Sequence, residues 1–176
     1  MHDLGFIYSP YAVMLYKITD DEKYKNIGIA AADALIKRFI PNGGYIRAWG
    51  RMDDVIPDYV DAQLAKDHFF TESRGLSIID TMMNLPLLFW ASETTGHPVY
   101  KNIAEAHIKT TLSHFIRPDG SVYHAFRFNT ETDEAIGGAN YCGYGVESHW
   151  ARGTSWILYG LANAYGYTKK NLRINS

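Results

Sequence analysis

Two kinds of apolar pattern alternate along the chain. Over about 10–18 (PYAVMLYKI) and 85–94 (LPLLFWASET) apolar residues crowd almost every side of a helical projection, whereas over about 21–39 and 98–115 Lys, Asp and Glu return on one stripe. A helix that is hydrophobic all round must be buried on every side, and one with a polar stripe can face water. The alternation predicts helical hairpins, each pairing a buried inner helix with a half-exposed outer one. A third inner helix is expected over 150–168 (WARGTSWILYGLANAYGYT).

The pattern is also a repeat. Thr19, Tyr24-Lys25-Asn26-Ile27 and Phe39-Ile40 recur as Thr95, Tyr100-Lys101-Asn102-Ile103 and Phe115-Ile116, an offset of 76 residues. The offset grows slightly in the turn that follows, bringing Trp49 opposite Phe126; backwards, Pro10 faces Pro86 and Asp3 faces Asp80. Repeated hairpins with alternating buried and half-exposed helices describe two concentric layers. The fold class expected is therefore all-α, an α/α toroid of helical hairpins. Residues 1–176 are expected to form part of one such domain, with repeat units at about 3–79 and 80–152.

This frame raises the question of why a carboxylate, Asp80, heads the apolar run IIDTMMNLPLLFWA. Proline is favoured in the first turn of a helix, so Pro10 after Ser9, a good N-cap, and Pro86 just after Asn84 mark the expected starts of the inner helices. Asp3 and Asp80 precede those prolines by seven and six residues, too far for simple capping. In a toroid all inner helix starts open on one end of the central cavity, so the two carboxylates are expected to converge there. Helix capping or a dipole contact is the structural alternative for each.

Composition narrows the partners. With 17 Lys and Arg scattered among 19 Asp and Glu, a net charge of −2, no basic block and no membrane-spanning apolar stretch, nothing points to nucleic acid or a membrane. The start of the chain shows no signal-peptide pattern, and the compartment expected is cytoplasmic, with the periplasm as the alternative. A single Cys excludes an internal disulfide framework. Aromatic residues make up 14% of the chain, with 13 Tyr and 4 Trp, which suits either an aromatic core or flat faces for sugar rings. Arg152 falls near the place that Asp3 and Asp80 occupy in their units, and its planar fork suits a carboxylate. Trp49, Trp150 and Trp156 offer stacking faces, while His124 and Tyr123 (in SVYHAF) and His2 beside Asp3 add polar groups. An anionic sugar fits this set. His107 and His114, seven apart on one helix with no completing carboxylate, read as core or surface histidines, not metal ligands.

The strings MHDLGF, GGYIRAWG, IIDTMMNLPLLFWASETTG, RPDGSVYHAF and WARGTSW together resemble the unsaturated glucuronyl hydrolases, glycoside hydrolase family 88, over nearly the whole chain. The resemblance implies a six-hairpin α/α barrel and removal of the 4,5-unsaturated uronic acid that polysaccharide lyases leave at the non-reducing end of glycosaminoglycan or related fragments. It implies no metal or organic cofactor. Its chemistry follows from the vinyl ether of the substrate: protonation at C4 makes an oxocarbenium at C5, water adds there, and the hemiketal opens and expels the aglycone. Carried onto matching positions, Asp80 is the general acid and then the base that activates water, and Asp3 orients the ring or assists Asp80. His2, His124, Arg152 and Trp150 hold the substrate, with Trp49 and Trp156 as walls.

Against the family pattern, Tyr141 and Cys142 stand where a His-Gln pair is expected, and Val146-Glu147-Ser148-His149 where paired acids are expected. Residues 51–77 form a longer loop, read as a lid or an elaborated surface loop. Two alternatives remain: an unsaturated rhamnogalacturonyl hydrolase acting on pectin fragments, and a sugar-binding remnant without turnover. Two hairpins and the start of a third, against an implied six, predict an incomplete barrel whose uncovered apolar flanks drive self-association.

Overall fold

In the computed structural model, residues 2–53 and 73–169 are described. Helix α1 (Leu4–Tyr8) runs through a π-helical turn (Ser9–Val13) into α2 (Met14–Thr19), and α3 (Glu22–Ile36) returns beside it. Strands β1 (Phe39–Ile40) and β2 (Tyr45–Ile46) follow. After a 3-10 turn (Ser73–Gly75) come β3 (Leu76–Ile78), a second 3-10 turn (Ile79–Met83), α4 (Leu85–Thr95) and α5 (Pro98–His114). The chain continues through β4 (Ala125–Phe128) and β5 (Ala135–Ala139) to α6 (Ala151–Thr168). Residues 54–72, the body of the expected lid, lie outside the described residues.

The helical hairpins form as the pattern predicts. Helix α4 packs against α1, α3, α5 and α6, and its Leu85, Pro86, Leu87, Leu88, Phe89, Trp90 and Ala91 are all buried. The outer helices α3 and α5 lie within a few residues of their expected spans, and α5 begins with Pro98 in its first turn.

The first inner helix departs from expectation. It begins at Leu4, and Pro10 sits inside the π-helical turn, not at a helix start. Proline lacks an N–H and its ring crowds the carbonyl one turn back, and the wider turn relieves both. Ser9 is therefore not a cap, and its Oγ is buried with no hydrogen-bond partner among the described residues. Nor is this helix buried all round: Ile7, Tyr11, Met14 and Ile18 are exposed, as are Leu158, Tyr159 and Tyr165 on α6. The two outlying inner helices each carry an uncovered apolar side, whereas the helix between them has none.

The all-α expectation needs correction, because the loops closing each hairpin form two small antiparallel sheets, β1-β2 and β3-β4-β5. Buried loop backbone must find hydrogen-bond partners, and short strands supply them. The amide of Ala48 donates to the Leu76 carbonyl at 2.8 Å and links the two sheets. Helix α6 buries a stripe of Gly153, Ile157, Gly160 and Ala164 on the 3-10 turn Ile79–Met83. A Cβ at Gly160 would lie 2.7 Å from Met82 Cβ and 2.8 Å from its carbonyl oxygen, so the approach requires glycine.

Candidate active site

The unforeseen sheet positions the central pair of groups. Ile78 pairs with Ala125 across β3 and β4, and the Ile79 N–H donates to the His124 carbonyl at 2.9 Å, which sets Asp80 beside His124. His124 Nε2 lies 3.7 Å from Asp80 Oδ2, with the two side chains 1% and 21% exposed. Asp80 Oδ2 is buried and has no hydrogen-bond partner among the described residues. Burial above all, aided by the negative charge of Asp3, pushes Asp80 up to about 6, against a backbone hydrogen bond and the charges of His2 and Arg152. Burial and the neighbouring Arg152 press His124 down to about 4. Its Nδ1 accepts the Tyr141 backbone N–H at 3.0 Å, so the ring proton sits on Nε2, facing Asp80. Near pH 5 the two groups are thus a neutral imidazole facing a protonated carboxyl, and not an ion pair.

Asp3 occupies the N-cap position of α1 yet makes no capping hydrogen bond; its Oδ1 lies 3.0 Å from His2 Nε2. Asn84 supplies the cap instead. Its side chain makes no capping bond to its own helix, and its Oδ1 accepts the N–H groups of Gly5 at 2.7 Å and Phe6 at 3.2 Å.

Around this pair the predicted rings gather. His2 meets the edge of Trp49 at 5.9 Å between centroids, Trp49 meets His124 at 6.0 Å, and His124 meets Trp150 at 4.8 Å. The Arg152 guanidinium lies 4.6 Å over the Trp150 ring, a cation–π contact that leaves its fork at the surface. Tyr141, foreseen only as a departure from a family pattern, belongs to the wall: its ring lies 5.4 Å from Trp49. The loop bearing Trp49 is held by the buried Arg38, which donates to the carbonyls of Arg47, Ala48, Trp49 and Gly50. Trp156 is placed differently; among the described residues its ring meets Phe6 of α1, at 5.5 Å. Neither Arg38 nor Asn84 was foreseen in its role, and an Arg in an aromatic-rich hairpin was the only signal for the first.

His107 is fully buried, accepts the Ile46 N–H through Nδ1 at 3.1 Å and is pushed down to about 3 by burial, as a core histidine. His114 packs on Phe126 and Phe128. Among the described residues no three His, Cys, Asp or Glu side chains gather as metal ligands would. The mouth presents a carboxyl that keeps its proton into mildly acidic pH, a fixed imidazole donor and a guanidinium. Such a set can deliver and retrieve a proton beside an anionic ring.

Comparison with known proteins identifies the family. The profile of Glycosyl Hydrolase Family 88 matches residues 2–172, and the chain belongs to this family. It is 38% identical over 168 residues to an unsaturated chondroitin disaccharide hydrolase of Streptococcus pneumoniae, covering 96% of this chain and 38% of that protein. It is also 38% identical over 161 residues to the unsaturated glucuronyl hydrolase of Bacillus sp. strain GL1, covering 92% of this chain and 38% of that one. The crystal structure of the unsaturated glucuronyl hydrolase from Bacillus sp. GL1 superposes with a TM-score of 0.82 at 37% identity, over 96% of this chain and 41% of the other. An unsaturated glucuronyl hydrolase described as specific for heparin superposes with a TM-score of 0.79 at 31% identity, over 97% and 41%. The chain thus spans about two-fifths of the length of these relatives.

Proposed function

We propose that this member of glycoside hydrolase family 88 supplies the acid–base centre of an enzyme that removes 4,5-unsaturated uronic acid from the non-reducing end of lyase-generated glycosaminoglycan-type oligosaccharides. The observation that carries the reading is the Asp80 carboxyl: buried, with an Oδ2 unpartnered among the described residues, pushed up to about 6, and set beside His124 and its ring cluster.

In the mechanism this arrangement favours, the Asp80 proton passes to C4 of the C4=C5 double bond, and the positive charge at C5 is shared with the ring oxygen. Water then bonds to C5 and gives its proton to the Asp80 carboxylate. The hemiketal opens by breaking the bond between C5 and the ring oxygen, leaving a ketone at C5. The former ring oxygen takes the proton of the C5 hydroxyl and becomes the hydroxyl of a hemiacetal at C1. This collapses to an aldehyde as the bond from C1 to the aglycone oxygen breaks, and the hydroxyl proton goes to that oxygen. Only an enol ether needs this; ordinary glycosidases place acid and nucleophile about the anomeric carbon. Arg152 and the His124 Nε2–H hold the uronate, His2 keeps Asp3 turned to the mouth, and Trp49, Trp150 and, on the α1 side, Trp156 supply ring faces.

The names of the relatives support the glycosaminoglycan reading over the pectin one. We read the described helices as an arc of a six-hairpin α/α toroid; the uncovered apolar sides of α1–α2 and α6 are where further helices or a second copy would pack. The test is incubation with unsaturated chondroitin disaccharide in heavy-oxygen water, beside an unsaturated rhamnogalacturonan disaccharide. The conjugated double bond of the first is expected to disappear, with label on the opened keto sugar. Label on the aglycone hydroxyl would overturn the mechanism, and binding without decay would favour a sugar-binding remnant.

A further inference from the structure

Asp3 and Asp80 come from different repeat units, and what holds their elements together is a third residue. Asn84 ends the turn that carries Asp80, is fully buried, and reaches across to take the N–H groups of Gly5 and Phe6. These are the groups that the side chain at the N-cap position, here Asp3, ordinarily takes. The approach is at backbone contact: a Cβ on Gly5 would lie 2.2 Å from Asn84 Cα. Because Asn84 satisfies the helix start, the Asp3 carboxylate is released to His2 and to the mouth.

We propose that Asn84 is a positioning residue: by capping α1 in place of Asp3 and clamping it to the turn that bears Asp80, it keeps the Asp3 carboxylate facing Asp80. Without the clamp, Asp3 turns back to cap its own helix. The charged and titratable groups that face Asp80 are Asp3 and His2 from the α1 side, His124 from the start of β4, Arg152 on α6 and Cys142 in the loop before α6. Only Asp3 and His2 ride on the clamped helix. Of these two, Asp3 raises Asp80 more than His2 lowers it.

The test rests on the proposed function only where it uses turnover. The Asp80 carboxyl is titrated by carbon NMR in the wild-type chain, Asn84→Ala, Gly5→Ala and Asn84→Asp, each with and without Asp3→Asn, and thermal unfolding checks that each variant folds. Asn84→Asp keeps the Oδ1 acceptor that takes both N–H groups and is the conservative rescue; its added carboxyl is present with and without Asp3→Asn, so the Asp3→Asn shift is read within that background. Asp3→Asn is expected to raise the Asp80 ionisation constant about threefold in the wild type and in Asn84→Asp. In Asn84→Ala and Gly5→Ala it is expected to change almost nothing, because Asp3 has already turned away; such loss of coupling is what a double-mutant cycle reads. If Asn84→Ala fails to fold, Gly5→Ala decides by the same cycle. An equal Asp3→Asn shift with and without the clamp overturns the inference. A wild-type enzyme that ignores unsaturated disaccharide would sink the functional reading while leaving this titration informative. With an active enzyme, the alkaline limb of kcat/KM moves to lower pH in Asn84→Ala and returns in Asn84→Asp.

Discussion

His124 Nε2 faces Asp80 Oδ2 across 3.7 Å, with the imidazole tautomer fixed from behind by the Tyr141 N–H on Nδ1. The separation is too long for a hydrogen bond, so the Asp80 proton is not tied up by its neighbour. The imidazole remains a donor that a substrate oxygen can engage.

From this pairing, His124→Ala is expected to raise KM about tenfold or more while lowering kcat less, since a held donor is lost but the acid remains. Steady-state kinetics on unsaturated chondroitin disaccharide measure the split. A collapse of kcat with unchanged KM would instead make His124 part of the proton transfer.

Activity is expected to fall as pH rises through about 6, where Asp80 loses its proton. The pH profile of kcat/KM checks this, and a flat profile into alkaline pH would exclude a carboxylic acid in the role.

The same raised value carries a stability cost with a definite sign. Below the unfolded value near 3.8, Asp80 is protonated in both states and costs nothing; as pH rises through about 6 the folded state must hold a buried charge. Asp80→Asn is therefore expected to be more stable than wild type above pH 6, by roughly 1–2 kcal/mol after allowance for partial exposure, and equal to it below pH 4. Denaturant unfolding at the two pH values measures the difference.

The uncovered apolar sides predict association. Ile18 is 74% and Leu158 65% exposed, and patches of this kind drive contact between copies. In size-exclusion chromatography the 19.9 kDa chain is expected to run as an oligomer or an expanded, partly molten species, and Ile18→Lys with Leu158→Lys is expected to reduce association. A monomer with one sharp thermal transition would contradict this.

The helical hairpins were legible because long apolar and amphipathic runs carry their period within themselves, and the repeat, at an offset of 77 residues here, matched Asp3 to Asp80. The strands were not, because β1 and β2 have two residues each and β3 three, too few for alternation to show. Pro10 misled through its position: proline ordinarily marks a helix start, and here a π-helical turn absorbs it. The clamp made by Asn84 was not legible because sequence shows neighbours along the chain, whereas its partners, Gly5 and Phe6, lie 79 and 78 residues away. Tyr141 acts partly through its backbone N–H, which no residue type announces.

The central claim is that the Asp80 proton starts the reaction, and the turnover of Asp80→Asn tests it most directly. With unsaturated chondroitin disaccharide, followed by loss of the conjugated double bond, turnover is expected to drop roughly 10²–10⁴-fold while binding changes little, the scale of a lost general acid. Near-wild-type turnover in that variant would contradict the account.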